Sequence, residues 1–336
     1  MTQPHCAECW TASNPAVTVT WVALAVLAVA LAWPVPILLA RASWPSRAPA
    51  TALVVWQAIA LAGGLSMLGA LFSYGLEPFG PDLASGLAAF PGWVLSGRLP
   101  TGTTFLQMFA VSGGILLGLH LVLTLGLTFG RAERSRRRHA QLVQLLSAPM
   151  PERPGLRLLD HEAPVAYCLP GTTRSVTVLS AGLVDLLDDQ QLQAVIAHEL
   201  AHATQRHHLL LVAFRAWRGS LPWFPIATRA LDAVTVLVEM LADDRARQQV
   251  PDEALAASIA LVASASDVTA VSSLDSGADA AARALAADGD SAERRLTRLI
   301  TPGAPLGAGA RALALVCSVA LLAVPTVLIV APAVLA

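Results

Sequence analysis

The sequence predicts an α-helical membrane protein with four spans, into which a cytoplasmic α+β domain is inserted. The chain of 336 residues is 55% hydrophobic and only 13% charged, with a mean hydropathy of +0.60. Soluble domains carry about 25% charged residues. Four apolar segments reach the ~20 residues that a helix needs to cross a bilayer. A long segment of mixed composition lies between the third and the fourth of them.

The four predicted spans are 17–40, 50–74, 104–129 and 308–334. The first is too long for a signal peptide and lacks a basic n-region. The predicted organisation is therefore an extracytoplasmic tail over 1–16, three spans with their loops over 17–130, a cytoplasmic domain over 131–307, and the fourth span over 308–336.

The distribution of arginine predicts the orientation of these spans. Arg41 and Arg47 follow the first span, and five arginines follow the third, from Arg131 to Arg138. The N-terminal tail has none, and the loop between the second and third spans has only Arg98. Cytoplasmic loops carry the excess of basic residues. We therefore expect a multi-pass protein of the plasma membrane with its N-terminus outside and 131–307 in the cytoplasm.

Composition also excludes several functional classes. A net charge of −1 gives no basic field for binding nucleic acid directly. The chain contains no lysine, which excludes a Walker phosphate loop, a Ser-Lys dyad and the S-x-x-K nucleophile of penicillin-recognising domains. Cys6 and Cys9 form a C-x-x-C that could be half a metal site or a redox pair, but no matching second half follows, which favours a frayed tail.

The inserted domain starts with strands and continues with helices. The segments "PVAYCLPG" and "SVTVLSAGL" are short, rich in β-branched and aromatic residues, and predict strands. A helix follows, with Asp188 or Asp189 as its N-cap. Four apolar residues follow the helical period and are expected to face the core: Leu192, Val195, Ile196 and Leu200.

This helix carries the sequence "HELAH", an H-E-x-x-H motif. His198 and His202 lie one turn apart on one face, and Glu199 lies about 100° around the helix. Two imidazoles so placed can bind one metal, and the carboxylate can reach a water beside it. Several acidic and glutamine side chains make the helix too polar for a span, which disfavours an intramembrane protease of the site-2 type.

A third ligand is expected from the helix "LDAVTVLVEMLADDRARQQV", because catalytic zinc needs three protein ligands and one open position. Glu239 and Asp243 share one face at i, i+4. We expect Glu239 to bind zinc and Asp243 to orient a ligand histidine through its second nitrogen. The alternative, a solvated acidic turn pairing with Arg245 and Arg247, fits Asp244 better, since apolar neighbours make the position of Glu239 costly for an unpaired charge.

"HELAH" followed by "EMLADDRA" resembles the BlaR/MecR-type antirepressor membrane zinc metallopeptidases. Three preceding spans, "LPWFP" between the two helices and one closing span extend the resemblance over nearly the whole chain. The motifs are also similar to those of HtpX and the CAAX prenyl proteases, which share the gluzincin arrangement. The resemblance implies a gluzincin-type metalloprotease domain that binds Zn²⁺ through His198, His202 and Glu239, with Glu199 as the catalytic base and Asp243 supporting a ligand.

One departure from that family concerns sensing. Members that sense β-lactams carry a penicillin-binding domain after the last span, whereas this chain ends at Ala336 and has no lysine. We therefore expect no covalent β-lactam sensing. The predicted function is an integral-membrane zinc endopeptidase whose substrate is a cytoplasmic DNA-binding repressor, bound as an added strand along "PVAYCLPG". Alternatives are HtpX-like quality control of membrane proteins and a non-proteolytic zinc-containing receptor or scaffold, which would not need Glu199.

Three further segments have less specific interpretations. The apolar segment 209–226 fits either a surface helix with Trp217, Trp223 and Phe224 at the membrane interface, or a hairpin packed inside the domain. The basic segment "ERRLTRLI" is expected to lie on the anionic inner leaflet. His207 and His208 are expected to end the metal helix as solvated groups or as partners of the helix dipole, rather than as ligands.

Overall fold

The structure is a computed structural model that describes residues 15–150, 153, 155–169, 176–221, 225–272 and 278–335. The pair Cys6 and Cys9 lies outside them. The chain forms two compact units. The first unit comprises the described residues of Met1–Ala42, Thr51–Thr124 and Ala308–Ala336, and the second unit comprises those of Ser43–Ala50 and Leu125–Gly307.

The described residues are mostly helical, with one small sheet. The helices are α1 (Pro15–Ala32), α2 (Pro34–Arg41), α3 (Pro49–Gly75), α4 (Leu83–Leu95), α5 (Phe105–Leu146), α6 (Ala181–Leu186), α7 (Asp189–Thr204), α8 (His207–Ser220), α9 (Pro225–Ala246), α10 (Asp252–Ser272), α11 (Ala278–Ile300) and α12 (Ala308–Leu335). The strands are β1 (Ser147–Pro149), β2 (Leu156–Leu159), β3 (Ala166–Leu169) and β4 (Val176–Ser180).

Four helical segments are long and apolar enough to cross a membrane: Val17–Arg41, Pro49–Gly75, Phe105–Leu146 and Ala308–Val334. They coincide with the four predicted spans, with two differences. The first is broken after Ala32, because Pro34 has no backbone N–H to donate and starts the new helix α2. The third does not stop near residue 129 but continues to Leu146 through alanine, glutamate and arginine, which are good helix formers.

The first unit also contains α4, which the sequence analysis left in a loop. Asp82 caps it, accepting a hydrogen bond from the backbone N–H of Ser85 at 3.0 Å. Before it, Phe79 packs edge-on against Phe90 of α4, with ring centroids 5.1 Å apart. The segment between α3 and α5 is therefore ordered against its neighbours within the first unit.

The second unit is built around a four-stranded sheet with strand order β1-β2-β4-β3. The strand β4 pairs in parallel with β2 and antiparallel with β3, while β1 pairs antiparallel with β2. The two predicted strands are β3 and β4, whereas β1 and β2 were not predicted. Val178 and Leu179 of β4 are fully buried, so the core of this unit begins at the central strand.

A reciprocal capping box starts α7. The Asp188 carboxylate accepts from the Gln191 backbone N–H at 2.8 Å, and the Gln191 side-chain carbonyl accepts from the Asp188 N–H at 3.1 Å. Two of the unpaired N–H groups at the start of the helix are thereby satisfied. Of the two predicted caps, Asp188 is the one that forms.

The buried face of α7 is made of smaller residues than predicted. Leu200 is 36% exposed, so the prediction that it faces the core was wrong. Ala194 and Ala197 are buried instead, and they pack with residues of α9, α10 and α11. Alanine side chains allow the neighbouring helices to approach closely, which brings side chains of α7 and α9 within contact distance.

The helix α8, which covers most of the described part of 209–226, packs inside the second unit. Val212, Phe214 and Ala216 of α8 are all at least 95% buried, and α8 packs against α9. This arrangement fits the predicted hairpin. Trp223 and Phe224, the proposed interfacial aromatics, lie outside the described residues.

Candidate metal centre

Two helices bring three potential metal ligands together. His198 and His202 come from α7, and Glu239 comes from α9. The two histidine Nε2 atoms are 3.1 Å apart. Glu239 Oε2 lies 3.2 Å from His198 Nε2, and its Oε1 lies 3.5 Å from His202 Nε2. The sequence analysis grouped these same three residues.

The spacing of these atoms fits a zinc ion. Tetrahedral zinc with bonds of about 2.0–2.1 Å holds its ligand atoms about 3.3 Å from one another, and the observed separations run from 3.1 to 3.5 Å. Two imidazoles and one carboxylate are donors that zinc accepts, and they leave its fourth position open. Within the described part of the chain, no other group of three histidine, cysteine or acidic side chains has this spacing.

Glu239 is held as an anion. Burial alone would raise the pKa of its carboxyl, but hydrogen bonds from His198 and His202 hold that pKa well below its usual range. Arg295 adds a positive charge, with its Nη1 3.4 Å from Glu239 Oε2. An unpaired charge on Glu239 would be costly among its apolar neighbours, but this carboxylate has three partners: His198, His202 and Arg295.

His198 is oriented from behind by Asp243. Its Nδ1 lies 2.9 Å from Asp243 Oδ1, and the Asp243 side chain is 1% exposed. Arg295 donates to both Asp243 oxygens, from Nη2 at 2.7 Å and from Nε at 2.8 Å. Burial lowers the pKa of a histidine, yet the hydrogen bonds with Asp243 and Glu239 outweigh it and raise the pKa of His198 to about 9 in the metal-free site.

His202 is contacted from behind by a third histidine. His207 Nδ1 lies 3.0 Å from His202 Nδ1, and its Nε2 lies 2.6 Å from the side-chain oxygen of Gln205. His207 is only 5% exposed, so the prediction that it is solvated was wrong. The reason is Arg206, whose left-handed backbone (φ 52°) turns the chain between α7 and α8. Burial lowers the pKa of His207 to about 4.

Glu199 lies between the metal ligands and the sheet. Its half-buried carboxylate accepts a hydrogen bond from the backbone N–H of Cys168 in β3, and it also interacts electrostatically with both ligand histidines. Burial raises the pKa of this carboxyl. A carboxyl with a raised pKa exchanges protons more readily near neutral pH, as a general base requires.

Two arginines of α11 reach the back of the site, which the sequence analysis did not foresee. Arg295 binds Asp243, and Arg298 donates to Asp244 at 2.8 Å and to the carbonyl of Ser46 at 2.7 Å. Their side chains are 14% and 17% exposed, so they do not form the free basic face predicted for the inner leaflet. The signal in the sequence was the three-residue spacing of Arg295 and Arg298, which suits pairing with the adjacent Asp243 and Asp244.

The model of peptidase family M48 matches residues 130–323. This match covers more than half of the chain and contains every residue of the metal centre, so the chain belongs to peptidase family M48, a family of metallopeptidases that are typically zinc-dependent. No curated protein and no solved structure matches it.

Proposed function

We propose that the protein is an integral-membrane zinc endopeptidase, with zinc held by His198, His202 and Glu239. The observation that carries the proposal is the near-tetrahedral spacing of these three donors beside Glu199. Structural zinc usually has four protein ligands, whereas catalytic zinc has three and an open position. The site offers three such groups and a carboxylate suited to be a base, which supports a peptidase over a zinc-containing scaffold.

The residues around the site have distinct tasks in peptide hydrolysis. Zinc supplies a Lewis acid that polarises the scissile carbonyl and lowers the pKa of water. Glu199 takes a proton from the attacking water and passes it to the leaving amine nitrogen. Asp243 and Arg295 keep His198 in place for this work. The hydrogen bond from Cys168 holds Glu199 towards the sheet.

We propose that the substrate binds as an extended strand along β3. Tyr167 pairs with Val178 of β4, and neighbouring residues of an antiparallel strand alternate in the direction of their N–H groups. The N–H of Cys168 accordingly points away from β4, where it reaches Glu199. A peptide added at this edge by main-chain hydrogen bonds would lie beside both the base and the metal ligands.

Of the two proposed substrate classes, we favour a cytoplasmic DNA-binding repressor, in agreement with the resemblance to BlaR/MecR-type antirepressors. Two features support this proposal: the four helices suited to cross a membrane, and the arginine-rich segment of α5, which favours a cytoplasmic position for residues 131–307. Membership of family M48 also supports HtpX-like quality control of membrane proteins as a second candidate.

New protein N-termini, compared by mass spectrometry in the native host, test these proposals. Cells would carry the wild type, Glu199→Gln, or Glu253→Gln as a matched control at an exposed position of α10. Cleavage of one DNA-binding repressor in wild-type and control cells, but not with Glu199→Gln, supports the signalling protease. Cleavage of many membrane proteins with the same dependence supports quality control. Identical N-termini in all three strains under every stimulus that induces the protein would overturn the peptidase proposal.

A further inference from the structure

We propose that His207 is a positioning residue: together with Gln205 it holds His202 in the tautomer and orientation that bind zinc. The proposal rests on the zinc site proposed above. The evidence for the role of His207 is a chain of two contacts. His202 Nδ1 lies 3.0 Å from His207 Nδ1, and His207 Nε2 lies 2.6 Å from Gln205 Oε1. His207 would then serve His202 as Asp243 serves His198.

The directions of the two hydrogen bonds follow from the metal site. A neutral histidine that binds a metal through Nε2 carries its proton on Nδ1. His202 must therefore donate to His207, whose Nδ1 accepts. A neutral imidazole with an accepting Nδ1 has its proton on Nε2, and the carbonyl oxygen of Gln205 is the acceptor within reach. Each of the two hydrogen bonds therefore has one defined donor and one defined acceptor.

The geometry excludes His207 as a further ligand. Its accepting nitrogen faces Nδ1 of His202, on the opposite side of that ring from the Nε2 atom that faces His198 and Glu239. The two rings meet nearly edge to face, with centroids 5.0 Å apart and planes at 85°. His207 supports the back of His202 and does not reach the metal position.

The local backbone is arranged for this contact. Arg206 has a left-handed conformation (φ 52°), and it is the only described residue other than glycine with a positive φ. Such a conformation is costly for a side chain with a Cβ. It places Gln205 and His207 on either side of one sharp turn, so that both can complete the chain of contacts. The strain at Arg206 accompanies a half-buried polar contact, and such strain is typical of functional sites.

The two ligand histidines consequently have unlike partners. The pair of Asp243 and Arg295 backs His198, whereas a neutral imidazole backs His202. An anionic partner raises the basicity of a ligand histidine more than a neutral one does. A neutral partner fixes the orientation of His202 while leaving more positive charge on zinc, which favours polarisation of a substrate carbonyl.

Zinc affinity of the full-length chain in detergent micelles tests the role of His207. Dissociation constants would be measured by competition with a chromophoric chelator for the wild type, His207→Leu and His207→Asn, and for His208→Leu as the matched control one residue along. Loss of a residue that orients a ligand weakens metal binding by about 10–100-fold, the change expected for His207→Leu. His207→Asn retains an acceptor at the place of Nδ1 and should remain within about threefold of the wild type, as should His208→Leu.

Two further readouts separate positioning from folding. Gln205 is exposed, so Gln205→Leu leaves the fold intact while it removes the acceptor for His207, and it should also weaken zinc binding. The visible spectrum of bound Co²⁺ should change with His207→Leu and be restored with His207→Asn. Wild-type affinity in His207→Leu, or equal losses in His207→Leu and His207→Asn, would overturn the proposal. A wild-type protein that binds no zinc would instead overturn the proposed function.

Discussion

Arg295 forms a bidentate ion pair with Asp243, its Nη2 and Nε atoms donating to the two carboxylate oxygens at 2.7 and 2.8 Å. These residues are 52 positions apart in the chain, and the carboxylate is 1% exposed. The contact joins α11 to the helix that carries Glu239. One guanidinium thus forms ion pairs with both acidic groups that surround His198, Asp243 and Glu239.

Replacement of Arg295 by methionine should destabilise the second unit. Removal of one partner from a buried ion pair costs about 3–5 kcal/mol, because the other charge is left buried and unpaired. Arg294→Met is the matched control, since its pair with Asp290 is more than half exposed and such pairs contribute about 0–1 kcal/mol. Thermal unfolding of the metal-free protein in detergent measures both. Equal melting temperatures for the two variants would contradict the importance of the buried pair.

Glu199→Gln should retain zinc and lose peptidase activity. Glutamine is nearly isosteric with glutamate and cannot accept the proton of the attacking water. General base catalysis contributes about 10²–10⁴-fold, so kcat should fall by at least that factor while zinc content stays at one ion per chain. Metal analysis and cleavage of an unfolded protein substrate measure the two quantities. Appreciable cleavage by this variant would remove Glu199 from the role of base.

Zinc binding should release a proton from His198. Because the pKa of His198 is raised to about 9 in the metal-free site, the ring is protonated at pH 7 and must lose a proton before it binds metal. Zinc affinity should therefore rise as pH increases towards about 9, roughly tenfold per pH unit, and the contribution of this group should level off above that value.

Calorimetry in two buffers with different ionisation enthalpies counts the released protons at pH 8. Asp243→Asn is the informative variant, because it removes the anion whose hydrogen bond raises the pKa of His198. It should release fewer protons on binding zinc at this pH. Equal proton release from the variant and the wild type would show that Asp243 does not control this histidine.

Removal of the helix cap at Asp188 should reduce stability without affecting chemistry. Replacement of an aspartate N-cap by alanine costs about 1 kcal/mol, and Asp188→Ala should lower the melting temperature accordingly. Asp189→Ala is the control, because the Asp189 side chain is 92% exposed and pairs only loosely with Arg153. The activity of the folded fraction should be the same in both variants. A larger loss of stability with Asp189→Ala would show that Asp188 is not the residue that caps the helix.

The proposed orientation can be tested with trypsin, which has only arginines to cut in this lysine-free chain. In right-side-out vesicles, external trypsin should cleave after Arg98 alone, since Arg98 is the only arginine expected outside. Inverted vesicles should instead be cleaved within the segment from Arg131 to Arg138. The reverse pattern would invert the topology. Arg98→Gln should abolish cleavage in right-side-out vesicles.

Local patterns in the sequence were sufficient to predict part of this site. The capping aspartate of α7, the two histidines one turn apart and the i, i+4 pair of Glu239 and Asp243 all depend on the helical period. His207 could not be found in this way, because its place depends on the left-handed turn at Arg206. Arg295 was missed because its partner is distant in the chain. The burial of Leu200 was predicted wrongly because the period alone does not show where neighbouring helices pack.

The second unit is discontinuous in sequence, and Arg298 of α11 donates a hydrogen bond to the carbonyl of Ser46 in its separate segment. Ser43–Ala50 precedes the remainder of that unit by more than seventy residues. A fragment excised from Leu125 to Gly307 would keep all the metal ligands, yet Arg298 would retain Asp244 and the carbonyl of Met240 and lose the carbonyl of Ser46. We therefore expect a water-soluble fragment of the second unit to need the peptide 43–50 added separately, because that peptide restores the carbonyl acceptor for Arg298.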